Sequence, residues 1–519
     1  MKTLVHKKMS LLLAAALVFT AGCAVKEGSD NTSVPAAAVD SKKITLMLHF
    51  KSGTLDPHND FTPLRAGVTE TLVKLDDQLQ LKGWLAETWV AKDELTWEFT
   101  IRDHITFHDG TKLDAAAVKA SFERGLKVSK RLAGLKIKSM DANGQLFTVV
   151  TSEPNPALPS ELVNPYASVV SVEAEKKMGT EAFNMAPVGT GPFVVKQFTP
   201  NIEAKLERYD AYWNGKAKLK EAVVKFNEDG NVRALALQSK EADIAWSLPA
   251  ESIEVVRKEK ELTVESIPSL RVHFLLYNQQ KPQMQDVKVR QAISLLLNRE
   301  SVAKDIMLGN ATAANGPFND KLPFASSAPV PKLDQEKAVS LLKEAGYTLT
   351  ADHKLVKDGT QLTLELVTYN ARPELPLMAQ LLQSDAAKAG IKVNIRNVED
   401  SDNYLKENKD WDVATYSNLT APRGDGGFFL NSAFMPSGSL NPGKINIPEL
   451  TQVIESLNKQ SDVTQRNKLI QEAVSIVDKE AVHSYAVFPN LIIGVNKRVT
   501  DWTPGREEFY ILTPTMDVK

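Results

Sequence analysis

A tryptophan-rich turn, an alternating strand and a second turn form the stretch that most constrains the fold of this chain. The first turn is predicted over residues 83–89 (GWLAETW) and the strand over residues 95–102 (LTWEFTIR). Asp109 and Gly110 predict a tight turn, and Asp114 predicts the N-cap of a helix that follows it. Strand, turn and capped helix in this order predict a mixed α/β chain.

The first residues predict an export signal. Three lysines precede an apolar run at residues 11–19, which is too short to cross a membrane core of roughly 30 Å but suits a signal peptide. Residues 20–23 (TAGC) resemble a bacterial lipobox, so we expect a signal peptide over 1–22 and lipidation of Cys23. The protein would then be extracytoplasmic and anchored to the cell membrane through Cys23. The alternative is a plain signal peptide with an incidental cysteine.

Composition excludes several kinds of site and of binding partner. Cys23 is the only cysteine among 519 residues, so a disulfide within the chain and a cysteine metal cluster are both excluded. Residues 26–41 are rich in small and polar residues and predict a flexible tether. The rest of the chain is long enough for two or three domains. The formal charge is −2, and no basic run carries interleaved aromatics, so nucleic-acid binding has no support.

Helices and strands alternate along the body of the chain. Residues 63–75 predict a helix leading into a strand, and residues 286–298 predict an amphipathic helix. A strand at 362–368, a helix at 376–389 and a strand at 391–395 predict a βαβ unit with a right-handed crossover.

Several motifs together resemble a known family. Besides the stretch at 83–111, they are VGTGPF at 188–193, RYDAYWNG at 208–215 and the helix at 231–238. The Gly-Thr-Gly string predicts a tight turn rather than a phosphate loop, because no helix follows it. In this order the motifs resemble the family 5 extracytoplasmic solute-binding proteins of peptide and nickel ABC importers, especially the nickel and metallophore branch.

The resemblance implies an α/β, two-lobed periplasmic-binding-protein-like fold of type II, cluster C, with an extra subdomain in the first lobe. The implied boundaries are a signal peptide at 1–22, a lipidated tether at 23–43, lobe I at 44–75, 187–270 and 492–519, an appended subdomain at 76–186, and lobe II at 271–491. An enzyme is not expected, because the chain has no Gly-x-Ser-x-Gly, His-Glu-x-x-His or P-loop motif and no cysteine nucleophile.

The resemblance also implies a set of ligand-binding residues. His58 follows a loop that lines the cleft in many relatives, so it is a candidate for contact with ligand or metal. Arg131 matches a cleft arginine of the nickel branch, and Arg423 is expected to replace a second arginine missing near residues 164–166. Surface salt bridges are the alternative role for both arginines. The remaining candidates are Arg372, Tyr369, Tyr416 and Asn418.

The expected cargo is a nickel or other divalent metal chelate, wrapped by free histidine or an opine-type metallophore as in relatives. The metal-contacting histidine of the nickel branch is replaced near Gly438. No cofactor of the protein's own is expected. The expected partners are the chelate, ABC permease subunits and the membrane through the lipid anchor, with the protein itself a monomer. The alternatives are a di- or oligopeptide carrier, or a peptide-sensing receptor or chaperone-like adhesin that has lost transport.

Overall fold

A computed structural model describes residues 42–370 and 372–519 of the chain. Cys23, the signal peptide and all but the last two residues of the expected tether lie outside the described residues.

Strands occur throughout the described part. They are β1 (Lys43–Leu48), β2 (Val73–Leu75), β3 (Leu81–Gly83), β4 (Ala86–Ala91), β5 (Thr96–Ile101), β6 (Ile137–Asn143), β7 (Leu146–Thr151), β8 (Phe193–Thr199), β9 (Glu203–Arg208), β10 (Glu221–Phe226), β11 (Ile244–Trp246), β12 (Leu262–Pro268), β13 (Arg271–Tyr277), β14 (Ala311–Ala313), β15 (Thr348–Leu349), β16 (Leu355–Lys357), β17 (Thr360–Gln361), β18 (Thr363–Tyr369), β19 (Lys392–Val398), β20 (Val413–Leu419), β21 (His483–Asn496), β22 (Val499–Thr500) and β23 (Asp517–Val518).

Helices alternate with these strands. They are α1 (Thr62–Arg65), α2 (Ala115–Val128), α3 (Leu158–Glu161), α4 (Val172–Met178), α5 (Thr180–Met185), α6 (Gly230–Gln238), α7 (Ile253–Arg257), α8 (Pro282–Gln285), α9 (Val287–Leu296), α10 (Arg299–Ser301), α11 (Gln335–Glu344), α12 (Glu374–Lys388), α13 (Ser401–Glu407), α14 (Gly427–Phe434), α15 (Pro448–Leu457) and α16 (Val463–Lys479). No helix within 42–370 or 372–519 has the length and apolar character needed to cross a membrane.

One large mixed sheet organises the fold, in the order β19-β18-β20-β13-β21-β11-β1-β10-β9-β8, with β12 and β14 also paired to β21. The long strand β21 joins its two halves. Its first residues pair with β13, and its last residues pair with β11 and β12. The change of partner falls around Pro489 and Asn490, near the short connection from β12 to β13. The expected lobe boundaries at 270 and 491 remain a prediction.

Local signals explain several of the elements. Asp114 caps α2 by accepting a hydrogen bond from the backbone N–H of Ala117 at 2.9 Å, as the sequence predicts. Gly110 has a positive φ of 81° in the predicted turn. The predicted βαβ unit is also present, because β18 and β19 are parallel and α12 connects them.

Two local predictions are corrected. The tryptophan-rich turn does not extend to residue 89, because strand β4 begins at Ala86 and pairs with β5. The helix predicted within 63–75 is a single turn, α1, and only Val73–Leu75 form a strand. The four-stranded antiparallel sheet β4-β5-β7-β6 contains most of the tryptophan-rich stretch and packs against α2 around Phe99, Phe122 and Phe147.

Candidate ligand-binding site

The carboxyl ends of two groups of parallel strands define the candidate site. In the first group, β1 lies between β10 and β11 and is parallel to both. In the second group, β18 lies between β19 and β20 and is parallel to both. Ligands of open α/β sheets bind outside the carboxyl ends of such strands. The residues that follow these strand ends are therefore the candidate site.

An arginine lies across the ends of the first group. Arg233 on α6 is buried, and it donates hydrogen bonds to the carbonyls of Trp246 and Asn227, both at 2.8 Å. Trp246 is the last residue of β11, and Asn227 directly follows β10. His49 and Phe50 directly follow β1, with the half-buried His49 ring edge-on to Phe50 at 5.2 Å. Burial and then the charges of nearby arginines, Arg233 among them, lower the pKa of His49, so the two kinds of group interact at this edge.

A second arginine packs on the same edge. Arg65 ends α1 and is buried, and its Cζ lies 4.5 Å from the centroid of the Phe50 ring. Its Nε donates to the backbone carbonyl of Glu508 at 2.9 Å. The aromatic ring and the carbonyl stabilise the cation in place without neutralising its charge.

The second group contributes two more arginines. Arg271 begins β13 opposite Leu419 at the end of β20, and its Nη1 donates to the Ser417 hydroxyl at 3.3 Å. Arg372 follows Tyr369, the last residue of β18. The Arg372 guanidinium has no hydrogen bond or ion pair with any residue that the structure describes.

These four side chains, Arg65, Arg233, Arg271 and Arg372, are termed the guanidinium cluster. Burial lowers the pKa of Arg233 and of Arg271 to about 10, and the charge of Arg372 acts on both in the same direction. Burial and then the charges of all four arginines hold the pKa of His49 well below its usual value. Arg372 thus acts electrostatically on both strand groups. Among described residues, no cluster member forms an ion pair with a carboxylate.

Nearby described carboxylates partly offset this charge without forming ion pairs with the cluster. Burial opposes ionisation of Glu374, but a hydrogen bond with His273 at 2.9 Å and the charge of Arg372 bring its pKa down to about 2. Glu374 is therefore anionic at neutral pH. Glu508, Asp60 and Asp229 also act electrostatically on Arg65, Arg233 or Arg271 from beyond ion-pair distance.

Among the described residues, Arg131 is linked to the cluster only through aromatic rings. Its side chain is exposed, and its Cζ is 5.0 Å from the centroid of the Tyr166 ring. The Tyr166 ring is tilted against Phe61 with the centroids 4.5 Å apart, and the Arg65 Cζ lies 5.3 Å from the Phe61 ring. The role of Arg131 in ligand binding stays a prediction.

Arg423 forms a salt bridge, which the sequence leaves open as its alternative role, but the side chain is buried and not on the surface. Its guanidinium forms an ion pair with Glu161, and its backbone carbonyl accepts a hydrogen bond from Ser160 Oγ at 2.5 Å. Its Cζ also lies 4.0 Å from the centroid of the Phe428 ring. A guanidinium paired in this way is not a free cation for a chelate. Arg423 instead ties the α3 segment to the loop after β20.

Both ring nitrogens of His58 are bonded to other groups of the protein. It is 1% exposed, its Nε2 is 3.1 Å from the Ser168 carbonyl, and its Nδ1 is 2.8 Å from Arg124 Nη1. Since arginine can only donate, Nδ1 accepts and Nε2 donates. Burial and then the charge of Arg124 lower its pKa to about 4. In this structure His58 has no nitrogen left for a metal, contrary to the expectation from sequence.

The tyrosine and amide candidates lie on the second group. The Tyr369 and Tyr416 rings are 6.2 Å apart, and the Tyr416 hydroxyl donates to Asp402. Burial raises the pKa of Tyr369 to about 12, so its hydroxyl stays protonated at neutral pH. Asn418 is two residues beyond Tyr416 on β20, so both side chains point to the same face. Of the predicted set, Arg372 belongs to the cluster, and Tyr369 interacts electrostatically with Arg372 and Arg271.

Four residues of the site were not predicted: His49, Arg65, Arg233 and Arg271. A usable signal exists for two of them, because His49 follows the apolar strand β1 and Arg271 begins the apolar strand β13. A separate cavity of about 670 Å³ lies beside α10 and β14. It contains no member of the cluster, and its one buried cation, Arg299, already donates to the carbonyls of Tyr485 and Ser294.

Comparison with known proteins identifies the type of molecule that this chain resembles. Residues 80–441 match the family described as bacterial extracellular solute-binding proteins, family 5, middle. The nickel-binding protein NikA of Staphylococcus aureus is 32% identical over 507 residues, which is 98% of each chain. Its structure in complex with Ni(L-His)2 covers 92% of this chain and 100% of its own, with 31% identity and a TM-score of 0.80.

Two further proteins are similar to most of this chain. The structure of a nickel ABC transporter protein from Bacillus halodurans is 41% identical, covers 92% of this chain and 100% of its own, and has a TM-score of 0.79. The glutathione-binding protein GsiB of Salmonella paratyphi A is 27% identical over 483 residues, which is 89% of this chain and 92% of that protein. These similarities confirm the expected two-lobed α/β fold.

Proposed function

The chain belongs to family 5 of the bacterial extracellular solute-binding proteins, and from this premise we propose that it captures a nickel or other divalent metal chelate for an ABC importer. The family and the similar proteins support a substrate-binding component of such an importer, and they are transport proteins rather than enzymes. The identity of the cargo is the proposal.

The observation that carries the proposal is the guanidinium cluster without carboxylate partners. Guanidinium groups bind carboxylates bidentately, and a buried charge that lacks a partner is unfavourable. Arg65 and Arg233 at one strand group and Arg271 and Arg372 at the other leave that role to a guest. A metal wrapped by a carboxylate-bearing chelator supplies the missing anionic oxygens to both groups at once.

The protein alone does not provide a complete metal site. No group of three or more His, Cys, Asp or Glu side chains that could hold a metal ion occurs among residues 42–370 and 372–519. The metal is therefore expected to arrive already bound to its chelator. Arginines would then recognise the chelator, and the metal would be carried as cargo.

Lipidation of Cys23 and delivery to a membrane permease complete the proposal. The lipobox-like TAGC sequence supports the anchor. Two or more acyl chains, each adding roughly 0.8 kcal/mol per buried CH₂, hold a protein stably on a membrane. The permease step is supported by membership of the family.

A glutathione or peptide carrier is the second candidate. The similarity to GsiB favours it, and glutathione also carries two carboxylates that suit a cationic site. The two candidates differ in one requirement, because only a chelate carrier depends on metal. The same binding assay therefore separates them.

The test is isothermal titration calorimetry with nickel–EDTA, nickel–nitrilotriacetate, nickel alone, and glutathione. We expect both chelates to bind and the last two ligands to give no tight binding. Arg372→Gln should weaken both chelates by roughly tenfold or more, about 1.4 kcal/mol. Arg257→Gln, which removes an exposed arginine on α7, is the matched control and should change nothing. Binding of glutathione without any chelate would replace the proposal with the peptide alternative.

A further inference from the structure

We propose that His49 supplies one imidazole nitrogen to the metal of the bound chelate. The inference rests on the proposed function and adds a direct contact between protein and metal. It starts from the position of His49, which directly follows β1 between the ends of β10 and β11. That position places a half-buried imidazole at the carboxyl edge where ligands of such sheets bind.

Neither ring nitrogen of His49 is bonded to a described residue, and one of them, Nδ1, is buried. The other buried or half-buried histidines of the described chain each have at least one bonded nitrogen. Their partners are Ser168 and Arg124 for His58, Gly189 and Gly191 for His108, Glu374 for His273, and Tyr485 for His483.

An unsatisfied imidazole in a protein interior requires an explanation, since buried polar groups are normally hydrogen-bonded. The arginines near His49 cannot coordinate a metal ion. Guanidinium groups only donate hydrogen bonds and do not coordinate cations. A neutral imidazole, in contrast, is a preferred donor for nickel, copper and zinc. The surrounding positive charges favour that neutral form.

The two kinds of side chain then have separate roles. The guanidinium cluster binds the chelator's carboxylates, and His49 fills a coordination position that the chelator leaves open. The ring nitrogen that does not bind metal is available to donate to a chelator carboxylate, as ligating histidines usually do to a second group. One histidine is too few to hold a free ion, so the protein still requires the chelator.

Two chelates with different open positions test the assignment. Nickel–nitrilotriacetate carries three carboxylates and leaves coordination positions open on the metal, whereas nickel–EDTA leaves none for a side chain. We expect His49→Gln to weaken binding of nickel–nitrilotriacetate by roughly tenfold or more and to leave nickel–EDTA within about twofold. The control is His104→Gln, which removes an exposed histidine far along the chain from the site.

X-ray absorption at the nickel edge of the wild-type protein gives a readout that does not depend on whether the variant folds. Wild-type protein loaded with nickel–nitrilotriacetate should show one imidazole nitrogen that the free complex lacks, and a folded His49→Gln variant should lose it. An unchanged nickel environment on binding would overturn the inference, as would equal weakening of both chelates. In either case binding of the chelates by the wild type would leave the proposed function standing. Failure of the wild type to bind any chelate would remove both.

Discussion

Glu70 shows at the scale of one residue how burial sets the chemistry of a side chain. It is fully buried and accepts hydrogen bonds from Thr190 at 2.7 Å, Tyr212 at 2.6 Å and Trp213 at 2.9 Å. Burial raises its pKa to about 7, although the three donors oppose that shift. No cation is paired with it among the described residues. The carboxyl group therefore titrates in the physiological range.

Glu70 is expected to make stability depend on pH. Its folded pKa of about 7 exceeds its unfolded value, so its contribution is complete in acid and is lost as pH rises through neutrality. The difference in unfolding free energy between wild type and Glu70→Gln should shrink by about 3 kcal/mol between about pH 4 and pH 8. Urea denaturation at both pH values measures it. The exposed Glu181→Gln is the control, and a difference independent of pH would contradict the expectation.

Gly189 and Gly191 show how an element depends on a close approach of two backbones. A Cβ at Gly189 would lie 2.2 Å from the Val68 carbonyl oxygen, and a Cβ at Gly191 would lie 2.3 Å from that of Gly67. The string VGTGPF is therefore a turn that packs on the backbone after α1. This geometry accounts for the two glycines without any phosphate.

Gly191→Ala is expected to destabilise the fold. The added methyl group would overlap backbone rather than a flexible side chain, so the cost should be about 1–3 kcal/mol. Gly134→Ala is a suitable control because no atom lies within 4 Å of the position that its Cβ would take. Chemical denaturation of both variants measures the difference. Equal stability of the two would contradict the role assigned to the Gly-Thr-Gly turn.

Elements with local signals were predictable, whereas those set by distant partners were not. Asp114, Asp286 and Asp334 each cap the helix that follows, and such caps can be read from a few neighbouring residues. The pairing of β21 with strands of both halves of the large sheet has no local signal, because it depends on β11, β12 and β13 far away in sequence. The Arg423–Glu161 ion pair, joining residues 262 positions apart, was missed for the same reason.

For the whole molecule, two sets of charges act in opposite directions on closure of the site. The charge of Arg372 acts on His49 and Arg233 of the other strand group, so we expect that bringing the two groups closer without a guest costs electrostatic repulsion. The Arg423–Glu161 ion pair and the hydrogen bond from Ser160 favour the approach of the α3 segment to the loop after β20. An anionic ligand removes the first cost, and it shifts the equilibrium only by its differential affinity for the closed form.

Two charge-neutralising variants should therefore change the unliganded molecule in opposite directions. Glu161→Gln leaves Arg423 buried without its partner, which typically costs about 3–5 kcal/mol, and opening relieves that cost. Arg372→Gln removes repulsion and should favour the compact form while abolishing further compaction by ligand. The radius of gyration from small-angle X-ray scattering, with and without nickel–EDTA, measures both effects, and Arg257→Gln serves as the control. Losing the Glu161 attraction and losing the Arg372 repulsion should change the radius of gyration in opposite directions. If both variants change it in the same direction, these charges do not govern closure.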